Sequence, residues 1–148
     1  MYGVIKAYTT RVGPGAFPTE LADPLGEKLR ELGKEYGVTT GRPRRCGWFD
    51  AVVTRYSSLI NGFTSIVLTK LDILDTIEEI KLGVSYKLDG KVLESMPAEQ
   101  SQLQRVEVEY LTMPGWNTST AHTRSFSDLP PNAQAYVRKI EELSLIHI

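Results

Sequence analysis

Cysteine is nearly absent from this chain. Cys46 stands alone, so no internal disulfide can form and a reducing compartment is the natural expectation. Histidine is scarce as well. His122 and His147 have no partners at metal-ligand spacing, which leaves no basis for a Cys/His metal site. Neither a Ser-His-Asp nor a Cys-His arrangement can be argued. Basic charge is not in excess: 17 Lys+Arg face 18 Asp+Glu, a formal net charge of -1. Binding to nucleic acid by bulk charge is thereby excluded. No apolar run approaches the ~18–20 residues of a membrane span, and residues 1–6 lack a signal-peptide layout. Neither a nucleic acid nor a membrane is expected as a partner. Phosphate loops of the G-x-x-x-x-G-K or G-x-G-x-x-G type are missing too, so a cradle for a nucleoside triphosphate does not lie in this segment.

What is present is an ordinary globular composition, 41% hydrophobic and 24% charged over 148 residues, enough for one domain. Both ends look cut. Apolar residues begin at once, at Val4-Ile5, and an amphipathic pattern over 132–143 gives way to Ser144-Leu145-Ile146-His147-Ile148. Such a tail would leave its Leu and Ile side chains exposed. Residues 1–143 are therefore expected to form the domain, and residues 144–148 a non-native or truncated tail.

The periodicities predict an α/β fold. Residues 2–12, rich in β-branched and aromatic types, predict a strand. Asp23-Pro24 opens a helix with an acidic cap and a proline at the first helical position. Leu25, Leu29, Leu32 and Tyr36 follow at helical spacing, and Gly37 can end it. Residues 38–48 predict a loop. Phe49, Val52, Val53, Tyr56, Leu59 and Ile60 form one helical stripe closed by Gly62. Residues 65–68 are wholly apolar, as in a parallel strand buried on both faces. Residues 80–88 alternate, Asp89-Gly90 signals a hairpin into residues 91–93, and Val106, Val108 and Tyr110 alternate again. A Pro/Gly/Ser/Thr-rich link over 114–128 leads to the last helix.

Two features carry chemistry. The first is Thr39-Thr40-Gly41-Arg42-Pro43-Arg44-Arg45, with no acid between Tyr36 and Phe49. Guanidinium forks match carboxylate or phosphate, and the Thr hydroxyls and the Gly41 N–H can join the same anion. Pro43 stiffens the loop. The second is Thr69-Lys70-Leu71-Asp72 at the carboxyl end of the apolar strand, where α/β sheets gather ligands. A carboxylate there can accept from the N1–H and exocyclic N–H of guanine, a donor pair adenine lacks. The Lys70 stem can lie along a base while its head stays in water. The two features are expected to share one cleft. Trp48 and Trp116 are read as packing groups, and Cys46 as an inert thiol despite its neighbours Arg44 and Arg45.

Read in order, VIKAYTTRVG (residues 4–13), GAFPTE (15–20), TTGRPRRCGWFD (39–50), LTKLDILD (68–75), MPGW (113–116) and LPPNAQAYVRKIEEL (129–143) resemble adenylosuccinate synthetase. The resemblance covers residues 2 to 143 and corresponds to the C-terminal third of that enzyme. It implies part of a P-loop-NTPase-like, mostly parallel sheet with flanking helices and an antiparallel hairpin. It also implies GTP-dependent ligation of L-aspartate to IMP on the way to AMP. Residues 38–44 resemble the aspartate loop, in which backbone groups, Val38, Thr39, Thr40, Gly41, Arg42 and Pro43 surround the substrate. Arg42 holds the carboxylates near IMP, and Arg44 reaches toward GTP. Lys70, Leu71 and Asp72 resemble the guanine site, and Val12 a residue beside the IMP ribose. The family's phosphate loop, catalytic residues and Mg²⁺ ligands precede this segment, so the resemblance places no catalytic residue and no metal ligand here. The chain alone is expected to lack synthetase activity. The resemblance further implies a homodimer and a cytoplasmic location, or an organelle where a transit peptide lies upstream. On composition and spacing alone, a non-catalytic anion- or nucleotide-binding module fits as well, and a small interaction domain is a third possibility.

Overall fold

The structure, a computed structural model, describes residues 1–145 and 148. Among the described residues, eight strands and four helices follow one another: β1 (Tyr2–Lys6), β2 (Thr9–Arg11), α1 (Pro24–Gly33), β3 (Arg45–Gly47), β4 (Phe49–Asp50), α2 (Ala51–Asn61), β5 (Ser65–Thr69), β6 (Glu79–Leu88), β7 (Lys91–Val92), the single turn α3 (Gln100–Leu103), β8 (Glu107–Pro114) and α4 (Pro131–Ser144). The α/β reading holds, with mixed pairing. β1 runs parallel to β5 and β4 parallel to β6. β2–β3, β6–β7 and β6–β8 are antiparallel.

The expected first strand is two strands in different sheets. Between them the chain bends at Ala7 and Tyr8, both buried, and Ala7 N–H still donates to Thr69 O at 2.9 Å. The bend swings Tyr8 into the interior and lets β2 leave β5 for β3. Helix α1 begins as expected: the Asp23 carboxylate accepts from Gly26 N–H at 3.0 Å, with Pro24 in the first turn. It stops four residues before Gly37. Gly33 packs so close to Tyr8 that a Cβ there would lie 2.2 Å from the Tyr8 hydroxyl. Lys34 then turns left-handed at φ 49 and ψ 46, and Glu35 N–H closes the end on Arg30 O at 2.9 Å. Leu29 is fully buried, whereas Leu32 and Tyr36, expected on the same stripe, are exposed. The predicted loop over 38–48 ends in strand β3, a pairing with β2 that no local pattern announces.

Helix α2 forms where expected, but the predicted stripe is not its buried face: Ala51, Val52 and Ser58 are buried, whereas Tyr56, Leu59 and Ile60 are exposed. Phe49 belongs to β4 and Asp50 is the cap. Asp50 Oδ1 accepts from Val52 N–H at 3.0 Å and Val53 N–H at 3.1 Å. Its Oδ2 accepts from the buried Tyr86 hydroxyl of β6 at 2.5 Å, so one carboxylate joins helix to sheet. Burial raises the Asp50 pKa against the opposing effect of these bonds. Strand β5 is not buried on both faces: Ile66 is buried, but Val67 is half exposed, because β5 pairs only with β1 among the described residues. Strand β6 alternates as predicted, with Ile80, Leu82 and Tyr86 fully buried. Each of those side chains contributes about 1.5–3 kcal/mol by burial. The hairpin turn is formed by Asp89 and Gly90 at φ 51 and φ 79.

Helix α4 lays Tyr136 and Ile140 into the same core, where the Tyr136 hydroxyl donates to Ala7 O at 2.6 Å. Trp48 and Trp116 are packing groups as expected. The Trp116 ring lies 5.8 Å from that of Tyr136, and its N–H donates to Asp75 at 2.7 Å. In the tail, Leu145 is exposed as expected. Ile148 instead packs on the core, and its N–H donates to Glu141 Oε1 at 2.9 Å. Ile146 and His147 lie outside the described residues. No described helix is long and apolar enough to cross a membrane.

Replacing Asp50 by Ala removes a helix cap and strands the Tyr86 hydroxyl. Urea unfolding is expected to show a loss of about 2–4 kcal/mol, with Asp50→Asn losing less because the amide oxygen still caps.

Candidate functional site

The arginine-rich segment is a closed turn. Gly37 N–H donates to Arg42 O at 2.9 Å and Gly41 N–H to Gly37 O at 2.8 Å. Gly41 sits at φ 64, a left-handed position that suits glycine. The Gly41 N–H is thus used inside the turn and is not offered to an anion, contrary to the sequence expectation. Val38, Thr39, Thr40, Gly41, Arg42 and Pro43 are all exposed. Beside the turn lies a cleft of about 510 Å³, lined by Val12, Gly13, Gly37, Thr40, Arg42, Pro43, Arg44 and Arg45. Val12, Thr40, Arg42, Pro43 and Arg44 are therefore brought together, while Val38, Thr39 and Gly41 do not line this cleft.

The three arginines are not equivalent. Arg45 grips Glu20 with two guanidinium nitrogens, at 2.7 and 2.5 Å. It also donates to Gly13 O at 3.1 Å and Gly15 O at 2.9 Å, and lies over the Phe17 ring at 5.5 Å. That fork is a strut between β3 and the glycine loop. Arg44 donates to Glu35 Oε2 at 2.8 Å. The Arg42 side chain has no hydrogen bond or ion pair among the described residues. The positive field read from the sequence is largely answered by two acids that lie outside the motif.

Glu35 was missed by motif reasoning. Its side chain is fully buried and is met by three cations and a phenol. Lys6 Nζ lies 2.9 Å from both carboxylate oxygens. Lys70 Nζ and the Tyr8 hydroxyl donate to Oε1 at 3.0 and 2.6 Å. Burial alone would raise the Glu35 pKa, but the bonds from Tyr8, Lys6, Arg44 and Lys70 outweigh it and hold the carboxyl at about 2. The same contacts act in reverse on Tyr8, whose phenol is pushed well above its usual range by burial and by Glu35. Cys46, fully buried nearby, is raised by burial first and then by Glu35, which fits the inert thiol. Lys6, Tyr8 and Lys70 come from positions 27 to 35 residues away, and Arg44 from 9, spacings that no periodicity reveals.

Lys70 follows β5 with a left-handed backbone, φ 58 and ψ 33. Its ammonium donates to Gly33 O at 2.5 Å and to Glu35, so its head sits in an ion cluster and not in open water. A turn of 3-10 helix, Leu71–Leu74, comes next. Asp72 is exposed there, with no side-chain hydrogen bond or ion pair among the described residues. Leu71 and Asp72 line a cleft of about 310 Å³ with Thr120, Ala121, Thr123 and Leu129. Arg42 and Asp72 therefore line separate clefts and not a single one, and Glu35 stands between, bonded to Arg44 of one wall and to Lys70 beside the other. Among the described residues no group of three or more His, Cys, Asp or Glu can hold a metal ion. Mg²⁺, implied by the resemblance, has no site built from these residues.

The sequence model of the adenylosuccinate synthetase family matches residues 1–148. This chain belongs to the adenylosuccinate synthetase family. It is 58% identical over 142 residues to adenylosuccinate synthetase of Kluyveromyces lactis, which is 96% of this chain and 33% of that protein. Its likeness to the Meyerozyma guilliermondii protein is the same, 58% over 142 residues, with 96% and 33% covered. The structure of fully ligated adenylosuccinate synthetase from Plasmodium falciparum matches with a TM-score of 0.96 at 43% identity, over 99% of this chain and 36% of that one. The chain thus spans about a third of the length of these synthetases.

In this adenylosuccinate synthetase segment the Glu35 cluster makes a pH-dependent contribution to stability. The carboxyl titrates at about 2 when folded, against an ordinary 4.5. A depressed carboxyl stabilises above its unfolded value and loses that contribution as pH falls toward the folded one. The gap corresponds to about 3 kcal/mol. Glu35→Gln is expected to lose that amount at pH 7 and almost nothing at pH 2, read from urea midpoints at both values. An equal loss at the two pH values would contradict it.

Proposed function

We propose that this chain is the C-terminal third of a GTP-dependent ligase that joins L-aspartate to IMP in AMP biosynthesis. In that reaction GTP phosphorylates the purine 6-oxygen. The aspartate amine then attacks the same carbon, so a C–N bond forms as the C–O bond to phosphate breaks. This segment supplies two recognition elements. Arg42, with Thr39 and Thr40 and backbone groups of residues 38–43 other than the Gly41 N–H, takes the aspartate carboxylates beside Val12 and IMP. Lys70, Leu71 and Asp72 take guanine, with Arg44 reaching toward GTP. Mg²⁺ would neutralise the phosphates, held by residues outside this segment. The reading includes a homodimer and a cytoplasmic enzyme, consistent with a lone buried thiol.

One observation carries it. The neighbours of Arg42 and Asp72 are tied down by Glu20 and Glu35, whereas the side chains of Arg42 and Asp72 have no partner among the described residues and line two clefts. Two open charges beside satisfied ones, each lining a cleft, support the reading that Arg42 and Asp72 meet a ligand. A non-catalytic nucleotide-binding module would need the same two groups, so turnover is the discriminating readout.

Purified alone, the chain is expected to form no adenylosuccinate in a coupled assay, since phosphoryl transfer needs a phosphate cradle and metal. In the full-length protein, Arg42→Leu is expected to raise the aspartate KM by about 10–100-fold, the worth of a charge-assisted fork, with GTP KM little changed. Asp72→Asn is expected to erode GTP-over-ATP selectivity by about 100-fold. Unaltered aspartate KM in the first, or unaltered selectivity in the second, would remove that residue's assignment.

A further inference from the structure

The side chains of Arg42 and Asp72 are exposed and have no partner among the described residues, so their positions depend on what holds their neighbours. Arg44, two residues after Arg42, is tied three times: by its guanidinium to Glu35, by its N–H to Glu35 O at 2.9 Å, and by its carbonyl to the Arg30 side chain at 2.9 Å. Lys70, two residues before Asp72, is held by Gly33 O and Glu35. Those contacts steady a left-handed backbone at a non-glycine residue, a conformation that costs about 1–2 kcal/mol. Glu35 is common to both sets.

The two oxygens divide the partners. Oε1 receives Tyr8 and Lys70, Oε2 receives Arg44, and Lys6 spans both. An ionised carboxylate offers about four lone-pair sites, and all are in use. An amide of the same shape would offer a single acceptor oxygen and turn an NH₂ group toward a cation. Either Arg44 or Lys70 would then lose its seat, and the other would hold a weaker, neutral partner.

Resting on the ligase reading above, we propose that Glu35 is a positioning residue that sets Arg42 and Asp72 jointly, so that one buried carboxylate fixes the aspartate-binding arginine and the guanine-reading aspartate at once. Glu35 touches neither substrate. Its influence on guanine passes through Lys70, and its influence on the aspartate loop, and on the part of GTP that Arg44 reaches, passes through Arg44.

The test uses the full-length protein. Glu35→Gln is expected to raise the KM for aspartate and the KM for GTP together, each by about tenfold, below the ~100-fold that a 1 Å misplacement of a reacting group can cost. Lys70→Met should raise the GTP KM alone. Adding Glu35→Gln to Lys70→Met should then raise the aspartate KM, and raise the GTP KM by less than the product of the two single effects, because the part that acts through Lys70 is already lost and only the part through Arg44 remains. A residue that merely stabilises the fold would lower the unfolding midpoint and leave both KM values unchanged; that result, or additive GTP effects, overturns the proposal. Should the amide variant not fold, Glu35→Asp retains the charge and draws it back by one methylene. It is expected to raise both KM values by a smaller factor, and a rise in only one, or in neither, overturns the proposal. A wild-type protein that does not ligate aspartate to IMP overturns the ligase reading and this inference with it, whereas an active wild type with a silent Glu35→Gln overturns the inference alone.

Discussion

A carboxylate with no access to water must have its charge answered inside the protein, or it will not stay charged. Glu35 is answered four times, from β1, from the bend after it, from the segment leading into β3 and from the turn after β5. Apart from β1 and the bend that follows it, those pieces are separate in the sequence. Meeting at one pair of oxygens, they are held in register with each other. Removing a single partner from such a cluster is costly because the remaining charges stay buried and unpaired. The arrangement is therefore less a source of net stability than a constraint on geometry.

The geometry it constrains is that of two otherwise free loops. The turn over residues 37–43 is closed by its own backbone hydrogen bonds, which give it shape but not position. Position comes from Arg44 on one flank and from the isolated bridge between Tyr36 and Pro43 on the other. Arg45 adds a second anchor through Glu20. The Lys70 turn is held in the same way, by a side chain reaching back to the end of α1. Rigid strands and buried acids thus carry loops whose tips remain open, the usual division between scaffold and binding group.

The packing of α1 makes this possible. Gly33 lets the Tyr8 hydroxyl approach the helix end, and the left-handed Lys34 turns the next side chain inward. A helix running on to Gly37, as the leucine spacing suggested, would have carried Glu35 along its own axis and away from Lys6 and Lys70. The error in the expected helix end and the failure to foresee Glu35 have one origin. Both depend on Tyr8, which lies 25 residues before Gly33 in the numbering and is invisible to a local pattern.

Local chemistry was legible in the amino-acid order. The Asp23-Pro24 cap, the Gly62 stop of α2, the alternation of β6 and the Asp89-Gly90 turn all depend on residues within a few positions of each other. Their periods follow from backbone geometry alone. The presence of Arg42 and Asp72 in polar turns was legible for the same reason. Which arginine stays open, which ones become struts, and where a buried acid gathers three cations were decided only by tertiary structure. Charge is answered through space, and the contacts that answer it here join positions from 9 to 35 residues apart.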